Sequence, residues 1–245
     1  MSQPAGLVFA LIALPLIGAD PLPADKLALA FLGGALAMGG LGAFYTAMAT
    51  GKISVVAPIA ALGVVVPVGY GLARGEDPTG LALVGLVIAV AGGVVLSYEE
   101  DADHTGVSRR AVVLAVISAL AFGTFFTLLD VAAADRPGWT VVSARVGGVV
   151  VVLAAVAAMR PDLRGIPAGL PALVTIGALD FSGNTLFAIA STQGLLPVIA
   201  VGGSMYPAFT VALAHVVLGE RLRLPQRAGV ALALAGVGLI AAGSA

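Results

Sequence analysis

Long apolar segments follow one another along almost the whole chain, and they constrain the fold more than any other feature. A helix that crosses a membrane needs about 20 mostly apolar residues, because the hydrocarbon core is about 30 Å thick. Short connections rich in Pro, Gly, Asp and Arg separate the segments, which are 4–19, 27–50, 54–73, 79–98, 110–133, 139–159, 168–192, 196–218 and 226–243. The sequence therefore predicts an all-α polytopic membrane protein with about nine transmembrane helices.

Composition and charge indicate the same class of protein and exclude several others. Hydrophobic residues make up 60% of the chain and charged residues 10%, and the mean hydropathy is +1.09, whereas a soluble domain carries about 25% charged residues. A net charge of -1 gives no electrostatic reason to expect nucleic acid as a partner. The sequence has no cysteine, no H-E-x-x-H, no G-x-S-x-G and no Walker loop. We therefore expect no cofactor, no metal site, no enzyme activity and no ATP-driven pump.

Two pairs of matching segments indicate an internal duplication. Residues 34–51 (GALAMGGLGAFYTAMATG) and 177–194 (GALDFSGNTLFAIASTQG) share seven of 18 positions at an offset of 143. At an offset of 144, the pattern G-x-x-x-A-x-x-G at 85–92 recurs at 229–236. A register held over several helices is more than similar composition alone would give.

The two copies are predicted to cross the membrane in opposite directions. Matching helices are five helices apart, and because five is odd, each helix runs opposite to its counterpart. The predicted domains are a first repeat of four helices at 1–103 and a second repeat of five at 104–245. Such inverted-topology repeats are typical of secondary transporters, with the site near the bilayer midplane. The span at 110–133 has no counterpart before the first helix: either a helix was lost there, or the chain starts inside a longer ancestral frame.

The order of motifs in both halves resembles the EamA-like branch of the drug/metabolite transporter superfamily. The motifs are A-P-I-A-A-L-G-V-V-V-P-V and R-G-E in the first half, then G-A-L-D-F-S-G-N, S-M-Y-P-A-F-T-V and L-G-E-R-L-R-L-P-Q-R-A-G-V-A-L-A-L-A-G-V in the second. Members of this branch usually have ten helices in two inverted repeats, and the resemblance implies export of small metabolites. The family's first helix, which helps to line the cavity, has no counterpart here. A true nine-helix protein would have an incomplete first half, which would raise the prospect of a homodimer.

Asp180 stands in the middle of an apolar span, where a charge needs an explanation. At 1.5 Å per residue it lies about 18 Å from the start of the span 168–192, close to the centre of the bilayer core. Asn184 follows one helical turn later on the same face. A charge at the membrane centre costs roughly 2.5–3.5 kcal/mol, so we expect a partner. Arg145 lies at a similar depth on the preceding antiparallel helix, and we predict an ion pair between Arg145 and Asp180.

Two interpretations of this pair stay open. It forms a structural clamp between two helices, or it lines a cavity where it serves substrate recognition or proton coupling. A paired Asp180 stays ionised and carries protons poorly, whereas an unpaired one in an apolar setting could accept a proton. The sequence does not choose between these roles.

Other polar residues within the spans are weaker candidates for substrate binding. Thr124 and Thr127 share a face with Asp130 at intervals of three residues, although hydroxyl groups often bond to their own helix. Tyr206 lies in the eighth span. Tyr45 either lines the same cavity from the first half or packs with its hydroxyl bonded to a neighbouring helix.

Glu76 and Glu220 recur at the repeat offset in the turns R-G-E and L-G-E. The recurrence predicts a shared turn in which the glutamate caps the helix that follows.

The predicted function is secondary transport of a small organic metabolite by alternating access, with the lipid bilayer of a bacterial plasma membrane as surroundings. One Arg balanced by one Asp cannot neutralise several phosphates, so an amino-acid-like or amphipathic solute fits better than a nucleotide. A non-transporting scaffold or accessory subunit is the alternative. Eight Lys and Arg residues lie in loops on one side and three on the other, which predicts a cytoplasmic N-terminus and an external C-terminus. The family resemblance implies a cytoplasmic C-terminus, so orientation stays open.

Overall fold

Helices joined by short turns make up the described part of the chain. A computed structural model describes residues 2–18, 20–50, 56, 59–96, 108–133, 136–161, 166–203 and 224–243, and no strand occurs among them. The helices are α1 (Ser2–Ile17), α2 (Ala24–Thr50), α3 (Val65–Ala73), α4 (Gly80–Leu96), α5 (Arg109–Ala133), α6 (Pro137–Met159), α7 (Ile166–Ser191), α8 (Leu196–Gly203) and α9 (Leu224–Gly243). Among the described helices, α2, α5, α6 and residues Gly169–Ser191 of α7 are long and apolar enough to cross a membrane. The described part of the protein is therefore all-helical and suited to a bilayer.

The predicted span 54–73 changes helix type in its middle. A turn of 3₁₀-helix, Leu62–Val64, leads directly into α3. Pro67, the third residue of α3, has no N–H to donate to the carbonyl of Gly63, and its ring crowds that carbonyl. Proline therefore accounts for the tighter turn at this point.

Two compact units divide the chain, and each combines segments from both halves of the sequence. Unit 1 comprises Met1–Gly39 and Thr124–Gly194, and unit 2 comprises Gly40–Gly123 and Leu195–Ala245. The boundaries fall within α2 and α5, so these two helices contribute to both units.

Glycine contacts bring the helices of unit 1 together. A Cβ atom at Gly34 of α2 would overlap the carbonyl oxygen of Ala144 on α6, so the two backbones touch there. A Cβ atom at Gly177 of α7 would lie 2.6 Å from the carbonyl oxygen of Ser2 on α1. Gly34 and Gly177 are equivalent at the offset of 143. Both of these matching glycines thus permit a close helix contact, as small residues commonly do in membrane proteins.

In unit 2, α4 and α9 form an antiparallel pair whose contacts involve the matching positions of the two sequence segments. A Cβ atom at Gly85 would lie 2.7 Å from the carbonyl oxygen of Gly236, and one at Gly92 would lie 2.9 Å from that of Gly229. At the offset of 144, Gly85 corresponds to Gly229 and Gly92 to Gly236. The second residue pair is therefore the first with the two helices exchanged. The same exchange holds between atoms, since a Cβ atom at Gly92 would lie 2.5 Å from the backbone nitrogen of Ala233 and one at Gly236 would lie 2.5 Å from that of Ala89.

Glu76 joins the turn after α3 to the start of α8. Its Oε2 accepts a hydrogen bond of 2.7 Å from the backbone N–H of Leu196. A carboxylate at this end satisfies a free N–H group and faces the positive end of the helix dipole. The prediction that Glu76 caps the following helix is therefore wrong. Thr79 caps α4 instead, because its Oγ1 accepts from the N–H of Ala82 at 3.2 Å, and Glu220 lies outside the described residues.

Side chains also tie the ends of helices within unit 1. Lys26 Nζ donates a hydrogen bond of 2.8 Å to the carbonyl of Val131 in the last turn of α5. Ser143 Oγ on α6 donates one of 2.8 Å to the carbonyl of Leu27 on α2. These bonds hold α2 against α5 and α6 on the side of the α5–α6 connection.

Candidate functional site

Arg145 and Asp180 lie at the same depth in neighbouring helices of unit 1. Each is 14 residues from the α6–α7 connection, counted from 145 to 159 at the end of α6 and from 166 to 180 at the start of α7. At 1.5 Å per residue that distance is roughly 21 Å. Asp180 Oδ2 accepts a hydrogen bond from Arg145 Nη1, so the predicted ion pair is confirmed.

Gln3, in the first turn of α1, completes the cluster, although no sequence pattern predicts it. Its Oε1 accepts a hydrogen bond of 2.9 Å from Arg145 Nη1, and its Nε2 donates one of 3.3 Å to Asp180 Oδ2. The side chain is buried. The available signal was a glutamine beside a long apolar span, but the rotation of α1 relative to α7 cannot be read from such a pattern.

Gly6 and Gly177 allow α1 to approach α7 closely enough for this bridge. A Cβ atom at Gly6 would lie 3.2 Å from the carbonyl oxygen of Gly177 and 3.5 Å from Arg145 Nη1. Gly6 comes three residues after Gln3, and Gly177 three residues before Asp180. The glycine contact therefore sets the height at which Gln3 meets the ion pair.

The cluster has a closed side and an open side. The exposed fraction of the side chain is 5% for Arg145 and 42% for Asp180. Arg145 Nη2 is buried and has no hydrogen-bond partner among the described residues. Asp180 Oδ1 accepts a long hydrogen bond of 3.3 Å from Asn184 Nδ2, one turn further along α7. The carboxylate thus presents Oδ2 to the buried guanidinium and Oδ1 to the open side.

The structure describes three of the other four predicted residues. On α5, Thr127 is buried and Thr124 is half-buried. Tyr45, on α2, belongs to unit 2 and is 61% exposed. Tyr206 lies outside the described residues. The described hydrogen bonds therefore join three of the predicted residues, the ion pair and Asn184, and their role in substrate binding stays a prediction.

The second half of the chain matches a known protein family. A sequence model of the EamA-like transporter family covers residues 109–242, which is more than half of the 245 residues. The chain belongs to the EamA-like transporter family. Membership confirms the resemblance found in the motifs and indicates a membrane transporter of small solutes.

A protein of known crystal structure shares the fold of this family member. The two structures superpose with a TM-score of 0.64 over 98% of this chain and 98% of the other, at 17% sequence identity. At that identity the likeness concerns the fold alone. No curated protein sequence matches the chain.

The family match covers part of the polar cluster. Arg145, Asp180 and Asn184 lie within the matched residues 109–242, whereas Gln3 lies outside them. The bridge from α1 is therefore a feature of this EamA-like protein that its structure reveals and the family match does not.

Replacing Gln3 by leucine will lower the free energy of unfolding by about 1–3 kcal/mol. Leucine has a similar size but provides neither Oε1 nor Nε2, so the buried Arg145 keeps one partner instead of two. The fluorescence of the single tryptophan, Trp139 on α6, reports thermal unfolding of the purified protein in detergent.

The matched control is Ser182→Ala on α7. Ser182 is exposed, and its hydroxyl donates to the carbonyl of Ala178 in its own helix at 2.9 Å. Its loss should change stability by less than about 0.5 kcal/mol. If the Gln3→Leu variant unfolds at the same temperature as this control, the bridge contributes nothing to stability.

Proposed function

We propose that this EamA-like protein is a secondary transporter of the plasma membrane that exports a small organic solute by alternating access between two inverted repeats. The contacts of α4 and α9 support the inverted relation, because Gly92 packs against Ala233 in the same way as its counterpart Gly236 packs against Ala89. In transporters of this architecture the substrate site lies near the bilayer midplane. Export as the direction follows from the family resemblance.

The half-exposed carboxylate of Asp180 is the observation that carries the proposed site. An ionised group costs free energy in hydrocarbon, and intramembrane carboxylates face water-filled cavities or partners rather than lipid. One oxygen of Asp180 is bonded to the buried Arg145, whereas the other lies on the open side beside Asn184. We assign the open side to the substrate. Further substrate contacts are proposed for Thr124, Thr127, Tyr45 and Tyr206.

The charge balance of the cluster favours an amino-acid-like or amphipathic solute. Arg145 is paired with Asp180 and is 5% exposed, so its guanidinium is not available to neutralise a phosphate group. Recognition of phosphates generally uses unpaired Arg or Lys side chains in bidentate or point-charge contacts. Polyanions such as nucleotides therefore fit this cluster poorly.

Counterflow into lipid vesicles tests the proposal. Vesicles containing the purified protein are loaded with one unlabelled solute, and uptake of the same labelled solute is followed for amino acids, amphipathic amines and sugar phosphates. We expect uptake of at least one amino-acid-like or amphipathic solute. Asp180→Asn should reduce its rate by roughly tenfold or more, the effect of losing a charge-assisted hydrogen bond. The Ser182→Ala variant should transport as the parent does.

A structural clamp in a non-transporting scaffold or accessory subunit is the second candidate. The burial of Arg145 and its bonds to both Gln3 and Asp180 favour it. It predicts that no solute in the panel shows counterflow, and that Asp180→Asn unfolds at a lower temperature. Counterflow of sugar phosphates alone would overturn the proposed substrate class, but it would still support the transport function.

A further inference from the structure

The two oxygens of the Asp180 carboxylate differ in their remaining capacity to accept hydrogen bonds. Oδ2 accepts two, from Arg145 Nη1 and from Gln3 Nε2. Oδ1 accepts one long bond from Asn184 Nδ2, at 3.3 Å. A carboxylate offers about four acceptor positions in all. Oδ1 therefore retains room for another donor, and it is the oxygen on the open side.

The orientation of Asn184 follows from its neighbour. An ionised carboxylate accepts hydrogen bonds and donates none, so the amide nitrogen of Asn184 faces Asp180 and the amide oxygen faces away. The open side thus presents the charged Asp180 Oδ1, and the amide oxygen of Asn184, one turn further along α7, is a second acceptor that the carboxylate does not use. The positive charge of Arg145 lies on the closed side. A carboxylate or phosphate approaching from the open side would meet the charge of Asp180 before that of Arg145.

Gly183 leaves space beside these acceptors. It is exposed, and a Cβ atom there would meet nothing within 4 Å. Side chains of a helix lean toward its N-terminus, so a large side chain at this position would cover the turn that carries Asp180. The exposed side chains of Ile176 and Leu179 lie in the preceding turn. They offer apolar surface next to the charged oxygen.

We propose that Asp180 Oδ1 and Asn184 Oδ1 bind the ammonium group of a substrate that carries a primary amine, either as a simple amine or as a zwitterion. Arg145 and Gln3 are positioning residues that hold the carboxylate without touching the substrate. Hydrogen bonds from an ammonium to a carboxylate are charge-assisted, and a water-poor site strengthens them. The inference rests on the proposed transport function and names the chemical group that the site recognises.

Three probes with one carbon skeleton separate charge from shape. They are 3-phenylpropylamine, 3-phenylpropionamide and 3-phenylpropionate, and a second triple uses an indole ring. Equilibrium dialysis measures the binding of each probe to the full-length protein in detergent. We expect the amine of at least one triple to bind roughly tenfold to a hundredfold more tightly than its amide, and the acid to bind most weakly. In Asp180→Asn the amine should bind no more tightly than its amide analogue, because the new side chain at position 180 carries no charge.

Gly183→Leu is the second variant, because Asp180→Asn also weakens the ion pair. It leaves the charged cluster intact, and its Cβ atom would meet nothing within 4 Å, so the melting temperature should equal that of the parent or lie slightly above it while amine binding falls at least tenfold. Gly169→Leu, on the same helix, is the matched control, since a Cβ atom there also meets nothing within 4 Å. The control should bind the amine as the parent does.

Several results would overturn the inference. They are tighter binding of the acid or the amide in both triples, no binding by any probe, or unchanged amine binding in Gly183→Leu. Counterflow measurements distinguish failure of the ammonium site from failure of the proposed transport function. If a solute without an amino group shows counterflow and no amine binds, the proposed ammonium site is wrong and the proposed transport function stands. If an amine binds and no solute shows counterflow, the proposed ammonium site stands and the proposed transport function is wrong.

Discussion

Replacing Gly34 by alanine will destabilise the protein by about 3 kcal/mol or more, or prevent it from folding. The added Cβ atom would overlap the carbonyl oxygen of Ala144, and a backbone atom cannot turn aside as a flexible side chain can. The helices α2 and α6 would have to separate. Separation would also stretch the hydrogen bond of 2.8 Å from Ser143 Oγ to the carbonyl of Leu27. Thermal unfolding in detergent, followed by the fluorescence of Trp139 on α6, measures the effect.

Gly39→Ala is the matched control because it makes the same chemical change on the same helix within unit 1. A Cβ atom at Gly39 would meet nothing within 4 Å. Alanine favours the helix over glycine by roughly 0.5–1 kcal/mol, so this variant should be as stable as the parent or slightly more so. If both variants lose stability equally, the contact with Ala144 is not the cause of the loss in Gly34→Ala.

The depth of the ion pair could be predicted from the sequence, whereas its third member could not. Depth depends on the helical rise and on the position of one short connection, and both can be read along the chain for Arg145 and Asp180. The rotation of α1 depends on packing between distant segments. Gln3 is separated by 142 residues from Arg145 and by 177 from Asp180. No pattern within a single helix contains that information.

The recurring small residues can be read from the sequence, whereas the helix contacts that they make are visible only in the fold. The pattern at 85–92 and 229–236 places glycines where the backbones of α4 and α9 touch. Bulky side chains would exclude such a contact, which gives a physical reason for the pattern to occur in both copies. The cap provided by Glu76 was assigned to the wrong helix. A carboxylate just before a helix is usually expected to cap that helix. Glu76 instead accepts a hydrogen bond from the backbone N–H of Leu196, 120 residues away.

Replacing Asp180 by leucine will lower the free energy of unfolding by about 2–3 kcal/mol, and the further change Arg145→Met will restore much of the loss. Removing one partner of a fully buried ion pair costs about 3–5 kcal/mol, because the other charge is left uncompensated. We expect a smaller loss here because 42% of the Asp180 side chain is exposed. In the single variant the guanidinium keeps Gln3 Oε1 as its described partner, whereas in the double variant no unpaired charge remains.

The four proteins of this cycle, the parent, the two single variants and the double variant, are compared by unfolding in mixed micelles with increasing denaturing detergent. Residues in contact give changes in stability that do not add. The double variant should therefore be more stable than the sum of the single changes predicts, by about 1–3 kcal/mol. Additive changes would mean that the pair has no energetic coupling. Asp180 would then contribute nothing to stability through Arg145, and substrate binding alone would have to explain its half-exposed carboxylate.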